Sequence, residues 1–251
     1  FAFFNTLYNN MNLTLDIGNS RIKTGIFDPD QLLAVRAFGR HETAKLISFA
    51  SRYNITSCII SSVATIPQEI IRFLNTENIN WFELSETTLL PVNNLYQSKA
   101  TLGYDRIAAA IGANALFPDE PLLVIDFGTA ITIDFVGDQN DYQGGNISPG
   151  LQTRFEALHE KTHKLPLLKP DEQVHDLISK DTNKAIINGV QNGIIFEIYQ
   201  YIERLKTRHQ SIRIIITGGD AHFFEKRLKN TIFVNHLILS GLNRILSYNV
   251  K

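Results

Sequence analysis

Two short phrases in the chain carry the residue types that hold phosphate. The first is Leu15-Asp16-Ile17-Gly18-Asn19-Ser20 and the second is Ile125-Asp126-Phe127-Gly128-Thr129-Ala130. Each sets an Asp at the end of an apolar run, a Gly two residues later, and then a small residue. A glycine turn offers several backbone N–H groups to an anion at short range. Asn19, Ser20 and Thr129 add short side-chain donors. Asp16 and Asp126 stand where a hydrated Mg2+ or another cation could be held, since Mg2+ keeps several waters and takes few carboxylates. A plain hairpin turn also favours Asp, Gly and Asn, for conformational reasons. Two copies, with a third glycine turn at Gly218-Gly219, favour phosphate chemistry over a bare turn.

Between the two phrases lies Gly103-Tyr104-Asp105-Arg106, which opens an Ala-rich stretch. Phosphoryl transfer to an alcohol needs a carboxylate near the acceptor hydroxyl and a cation for an anionic substrate or the migrating group. Asp105 and Arg106 are of those types. An Asp at a helix start also serves as a cap or a dipole partner, and on the residues alone both readings stand.

A rival motif, His159-Glu160-Lys161-Thr162-His163, matches the zinc pattern H-E-x-x-H. Leu151, Phe155, Leu158, Thr162 and Leu165 define the apolar stripe there, which leaves both histidines at its edge. Pro166 breaks the helix, and the extended pattern would need Gly and His where the chain has Pro166 and Lys169. A solvated helix face is the favoured reading. No G-x-S-x-G elbow, no P-loop and no basic–aromatic stripe for nucleic acid occurs.

The elements that must position these residues form two series. Asn12 to Ile17 reads as a strand, Arg21 to Phe27 as its returning arm and Leu32 to Phe38 as a third strand. Helical spacing follows over Thr43 to Tyr53 and Pro67 to Asn75, with strands at Ser57 to Val63 and Trp81 to Leu84, and a close-packed helix over Asp105 to Leu116. Pro118 to Pro121 punctuates the chain, and the order restarts. Leu122 to Ile125 and Ala130 to Val136 are the next strands. Gly144-Gly145 predicts a turn, and helices are expected over 151–164, 185–206, 223–228 and 237–248, with a strand over 212–217. The expected domains are 11–117 and 118–251, two similar ATPase-like α/β halves around a shared cleft. Residues 1–10, before Met11, are expected to be an extension outside the fold, disordered or a cloning remnant.

Composition agrees with a globular enzyme. The 251 residues are 44% hydrophobic and 20% charged, with a net charge of -1. That balance gives no global pull toward nucleic acid or an acidic membrane surface. Cys58 is the single cysteine, so no intrachain disulfide can form, which fits a reducing compartment. Phe1 to Phe4 is too short and lacks a basic flank, so a signal peptide is not expected; no 18-residue apolar run occurs in the sequence given, so a cytoplasmic protein with no membrane span is expected.

Five phrases in this order resemble the type III pantothenate kinases, of the superfamily of acetate kinases, sugar kinases, heat-shock chaperones and actin. They are the two Asp-x-Gly phrases, Gly103 to Arg106, Gly144 to Gly150, and Thr217-Gly218-Gly219-Asp220. The resemblance implies two ribonuclease H-like half-domains with mixed sheets flanked by helices, around a central nucleotide cleft. It implies ATP-dependent phosphorylation of pantothenate to 4'-phosphopantothenate, the first step of coenzyme A synthesis, by a homodimer. Asp16, Ile17, Gly18, Asn19, Ser20, Arg21, Ile22 and Lys23 match the first ATP-phosphate stretch, and Thr129 an ATP contact. Asp105 matches the proton acceptor. Tyr96, Gly103, Tyr104, Asp105, Arg106 and Thr182 match substrate contacts. Asp126 matches the position that binds a monovalent cation, K+ or NH4+, and Asp16 is expected to hold Mg2+ through water. Ser20 stands where the family more commonly has Thr, and keeps the hydroxyl. The alternatives are another small-molecule kinase of the superfamily and a non-catalytic transcription accessory factor.

Overall fold

The computed structural model describes residues 10–250, and the expectation for residues 1–10 lies outside them except at Asn10. The chain divides into two compact units. The first comprises the residues up to Phe117 together with those from Leu237 onward, and the second is Pro118–His236.

Unit 1 begins with β1 (Met11–Ile17), β2 (Arg21–Asp28), β3 (Gln31–Gly39), α1 (Thr43–Ala50), β4 (Ile55–Ser62), α2 (Gln68–Thr76) and β5 (Asn80–Glu83). A two-residue strand, β6 (Asn93–Asn94), and a single 3-10 turn at Lys99–Thr101 lead to α3 (Tyr104–Leu116). The sheet order is β3-β2-β1-β4-β5. β1 runs antiparallel to β2 and parallel to β4. Alternation along β1 decides its two faces. Leu13, Leu15 and Ile17 are fully buried and join Leu46 of α1 with Ile70 and Leu74 of α2 in one core. The other face carries Asn12, Thr14 and Asp16.

Unit 2 repeats the plan. It has β7 (Leu122–Phe127), β8 (Ala130–Val136), β9 (Asp141–Pro149), α4 (Leu151–Lys161), α5 (Thr182–Lys206), β10 (Arg213–Thr217), α6 (Ala221–Glu225) and β11 (Ile232–Phe233). Its strands run β11-β10-β7-β8-β9, with β7 antiparallel to β8 and parallel to β10. Position for position this is the order of unit 1. The core gathers Ile125, Phe127, Ile133, Phe155, Ile194 and Ile198. Phe127 stacks on Phe224 of α6 with ring centroids 4.7 Å apart. Both units are therefore α/β, each with a mixed sheet flanked by helices.

Two expectations are corrected. The glycine pair Gly144-Gly145 is not a turn but lies inside β9. Phe135 pairs with Gly144 and Val136 with Tyr142, so Gln143 is an extra residue and the strand bulges. Gly144, at φ 104°, supplies the backbone conformation the bulge needs. The reversal itself lies at residues 138–140, closed by the Gly137 N–H donating to the Asp141 carbonyl.

The second correction concerns the last helix, α7 (Leu237–Asn249). It belongs to unit 1 rather than to a C-terminal half running to 251. There it packs against α3 and β1. Small residues allow the close approach: a Cβ on Gly112 of α3 would lie 2.5 Å from the Leu237 carbonyl, and one on Gly241 would overlap the Ala108 carbonyl. The alanines of α3 serve the same contact. Asn243 of α7 accepts from Asn12 Nδ2 at 2.9 Å and donates to the Pro29 carbonyl.

Candidate active site

Asp16 sits one residue from the end of β1, opposite Lys23 of β2 and Ser61 of β4. It shares its sheet face with Asn12 and Thr14, the face on which α7 packs. Burial lifts the Asp16 carboxyl from the ordinary carboxylate range to about 6. Lys23 works against that rise, and the charge of Asp105 adds to it. The first-copy aspartate and the α3 aspartate thus stand in one electrostatic neighbourhood, far apart in sequence. A carboxyl lifted mainly by burial, with a second carboxylate adding to the rise, is a place where a cation is favourable.

The turn after Asp16 closes on its own backbone. Gly18 N–H donates to the Arg21 carbonyl at 2.9 Å. The Asn19 and Ser20 side chains are exposed and have no hydrogen-bond partner among the described residues. A Cβ at Gly18 would meet only the Arg21 carbonyl, at an ordinary 3.4 Å. The chain's own packing does not demand a glycine there, whereas close approach of a ligand would. Arg21 and Lys23 point outward, while Ile17 and Ile22 are fully buried.

Gly103 caps α3, and the Asp105 carboxylate folds back over it: a Cβ there would sit 2.5 Å from Asp105 Oδ1. The same oxygen accepts from the Arg106 N–H at 2.8 Å. Asp105 is thus held at a helix N-terminus, where a negative charge is stabilised. Tyr104 is half-buried beside it. Arg106 is only 4% exposed. Its guanidinium lies 5.4 Å from the centroid of the Tyr96 ring, and Nη1 donates to the Tyr96 hydroxyl at 3.5 Å. The Tyr96 and Arg106 of the expected substrate set are therefore in contact within unit 1.

In unit 2 the second phrase makes a tighter turn. Gly128 N–H donates to the Ala130 carbonyl at 3.1 Å, one residue shorter than its counterpart in unit 1. The Thr129 carbonyl accepts from the Gly150 N–H and from Thr153 Oγ1, at 2.9 and 2.7 Å, which leaves the exposed Thr129 side chain outward. Asp126 pairs with Thr217 in the ladder and lies against Gly218. Gly218 has φ 103°, and a side chain there would run into the Asp126 carboxylate and the Phe127 backbone. Burial also raises the pKa of Asp220, the next acid on this turn.

Thr182 opens α5, just after the N-cap Asp181, which accepts from the Lys184 N–H at 2.9 Å. It lines a cavity of about 740 Å3 between α4 and α5, otherwise walled largely by Leu158, Leu165, Ile186 and Val190. Arg154 is a polar group of that wall which the sequence left unmarked; it pairs with Glu197 at 2.5 Å. Its only signal was its place four residues after Gly150.

The zinc pattern has no metal geometry. α4 ends at Lys161, so His163 falls beyond the helix and the two histidines do not share a helical face. His159 Nδ1 instead lies 2.8 Å from the Leu165 carbonyl. No group of three or more His, Cys, Asp or Glu poised for a metal occurs among the described residues. No helix among them is long and apolar enough to cross a membrane.

Comparison with known proteins gives one family. A family profile described as type III pantothenate kinase matches residues 12–204. A type III pantothenate kinase of Phocaeicola vulgatus is 43% identical over 242 residues, which cover 96% of this chain and 100% of that protein. One from Bacteroides fragilis is 40% identical over 240 residues, 95% of this chain and 98% of that one. Among solved structures, a Campylobacter jejuni protein of the Baf family aligns with a TM-score of 0.62 at 24% identity, over 95% of this chain and 98% of that one. The ethanolamine utilization protein EutJ of Carboxydothermus hydrogenoformans aligns with a TM-score of 0.53 at 14% identity, covering 96% and 91%. At these identities the solved structures speak for the fold.

Proposed function

The chain belongs to the type III pantothenate kinase family, whose reaction is phosphorylation of pantothenate in coenzyme A synthesis, and we propose how its residues divide that work. The observation that carries the proposal is that unit 1 sets the carboxyl of Asp16, near the end of β1, within the electrostatic reach of Asp105, held at the N-terminus of α3 beside Arg106 and Tyr96.

Asp105 is the proton acceptor for the primary hydroxyl of pantothenate. The transfer is in line, and an alcohol is so weak an acid that the proton moves late. Arg106, oriented by Tyr96, holds an anionic oxygen of the substrate, and Gly103, Tyr104 and Thr182 complete the substrate contacts. The 16–23 stretch takes the ATP phosphates, with Asn19 and Ser20 as donors, and Thr129 contacts ATP. Asp16 fits Mg2+ held through water: it is a lone carboxyl at the strand end, lifted by burial against Lys23 and further by Asp105, and no group of three or more His, Cys, Asp or Glu competes with the waters and phosphates among the described residues. When bound, that ion would neutralise charge on the phosphates. Asp126, against the Gly218 backbone, is proposed to hold K+ or NH4+.

The working form is proposed to be a cytoplasmic homodimer. Support comes from one face of unit 2, where Leu177 and Ile178 are 73% and 81% exposed and Phe196 of α5 is 55% exposed. These apolar groups lie beside the open backbone of Gly189, where a Cβ would meet nothing within 4 Å.

A coupled ADP-release assay with pantothenate and ATP tests the reading, run with and without Mg2+ and with K+, NH4+ or Na+. Turnover that needs pantothenate and Mg2+ and rises with K+ or NH4+ supports it. Equal rates with unrelated alcohols would sink the substrate assignment, and equal rates in Na+ the role of Asp126.

A further inference from the structure

We propose that unit 1 carries a second anion site, between β3 and α1, which takes a phosphate monoester bearing a flat apolar group. Pairing carries Leu15 across to Thr24 and Arg36, and Ile17 across to Ile22 and Phe38. Asp16 pairs instead with Lys23 and Ala37, so Arg36 and Phe38 are on the sheet face opposite Asp16. The site is therefore distinct from the phosphate turn.

On that face of β3, Ala34 and Phe38 pack against the unit 1 core. Arg36 stands between them, exposed on the edge strand, where alternation calls for an apolar residue. From α1 and the residues just after it, Lys45, Ser48, Phe49 and Arg52 come at helical spacing and line the same cavity of about 450 Å3. Phe38 and Phe49 form its floor, with ring centroids 5.8 Å apart and planes at 52°.

The charges do not balance internally. Glu42 is the one carboxylate between residues 31 and 54. It is already engaged, by Lys45 Nζ at 2.5 Å and by the Gly39 N–H at 2.8 Å. Arg40, also on this segment, donates to the Thr65 carbonyl. The guanidiniums of Arg36 and Arg52 have no ion pair or hydrogen bond among the described residues. The chain as a whole has a net charge of -1, so this is a local concentration of positive charge. Two guanidinium forks match a phosphate dianion better than a single carboxylate, and the two rings offer a floor for a planar group. The groove is open to solvent, and its size suits a small ligand rather than a polymer.

The test titrates the full chain with phenyl phosphate in saturating Mg2+ and a non-hydrolysable ATP analogue, followed by calorimetry and amide chemical-shift mapping. Saturable binding is expected, with shifts at Arg36, Phe38, Ser48 and Arg52. Inorganic phosphate and benzyl alcohol should each bind more weakly. Arg36→Met and Arg52→Ala should each weaken phenyl phosphate binding by about tenfold or more while keeping the melting temperature. Arg52→Ala, at the exposed end of the helix, is the variant least able to disturb folding. The idea is overturned by no saturable binding, by unchanged affinity in both variants, by shifts confined to residues 16–23, or by saturation only with a single-stranded oligonucleotide.

Discussion

Asp16, near the end of β1, lies within reach of the charge of Asp105, in the first turn of α3: burial is the main cause that lifts the Asp16 pKa, Lys23 opposes it, and Asp105 adds a smaller rise. Two acids from remote parts of the sequence are thus held in a repulsive relationship that burial strengthens. Such an arrangement costs stability in the free protein and becomes favourable when a cation joins it.

The first prediction concerns pH. Folded Asp16 keeps its proton up to about 6, while an unfolded Asp releases it near 3.8. Between those values the folded chain binds more protons, so this group's contribution to stability falls as pH rises through the window and stays low above it. The loss is on the order of 3 kcal/mol at most. Asp16→Asn should therefore unfold at higher urea than the parent near neutral pH without Mg2+, with the gap closing toward about pH 4. Urea titrations across pH check this. A variant no more stable than the parent at neutral pH would refute it.

Asp105→Asn should lower kcat by about 10²- to 10⁴-fold while leaving the binding of ATP and pantothenate near that of the parent. Steady-state kinetics beside calorimetry separates the two effects. Nearly full turnover would remove Asp105 from the role of base.

Gly18 and Gly218 should respond in opposite ways. Gly18→Ala has room in the folded chain, so the melting temperature should hold while the KM for ATP rises. Gly218→Ala must adopt φ 103° against the Asp126 carboxylate and the Phe127 backbone. It should destabilise the protein by about 1–3 kcal/mol and weaken its response to K+. Thermal melts and ATP and K+ titrations of both variants give the comparison.

Arg106→Lys keeps the charge but loses the planar fork and its stacking on Tyr96. The KM for pantothenate should rise by about tenfold or more with the KM for ATP unchanged. An equal change in both constants would point to general damage to α3.

Much of this architecture was legible in the chain itself. Alternation marked β2, apolar runs marked β1 and β7, and an Ala-rich stretch marked α3, to within a few residues. The misreadings have physical causes. Gly144-Gly145 carries the signature of a turn, yet a bulge depends on the register of the partner strand, which is a non-local property. The home of α7 depends on a Gly112–Gly241 contact between helices far apart in sequence. The residue types of Asp16 and Asp105 suggested chemistry, but their mutual field requires β1 and α3 to be folded together. Arg154 gave no pattern because its partner, Glu197, sits on another helix.

The return of α7 to unit 1 has a consequence for how the protein is made. Pro118–His236 is one continuous stretch, so it leaves the ribosome ahead of the closing helix. The unit that carries Asp16 and Asp105 is discontinuous and must wait for residues 237–249 to leave the ribosome. A chain cut short before residue 237 would carry a complete middle unit and an unfinished first one, so the neighbourhood of the two acids depends on delivery of residues 237–249. Released chains truncated at residue 236 should show protease resistance in the middle unit and sensitivity before residue 118.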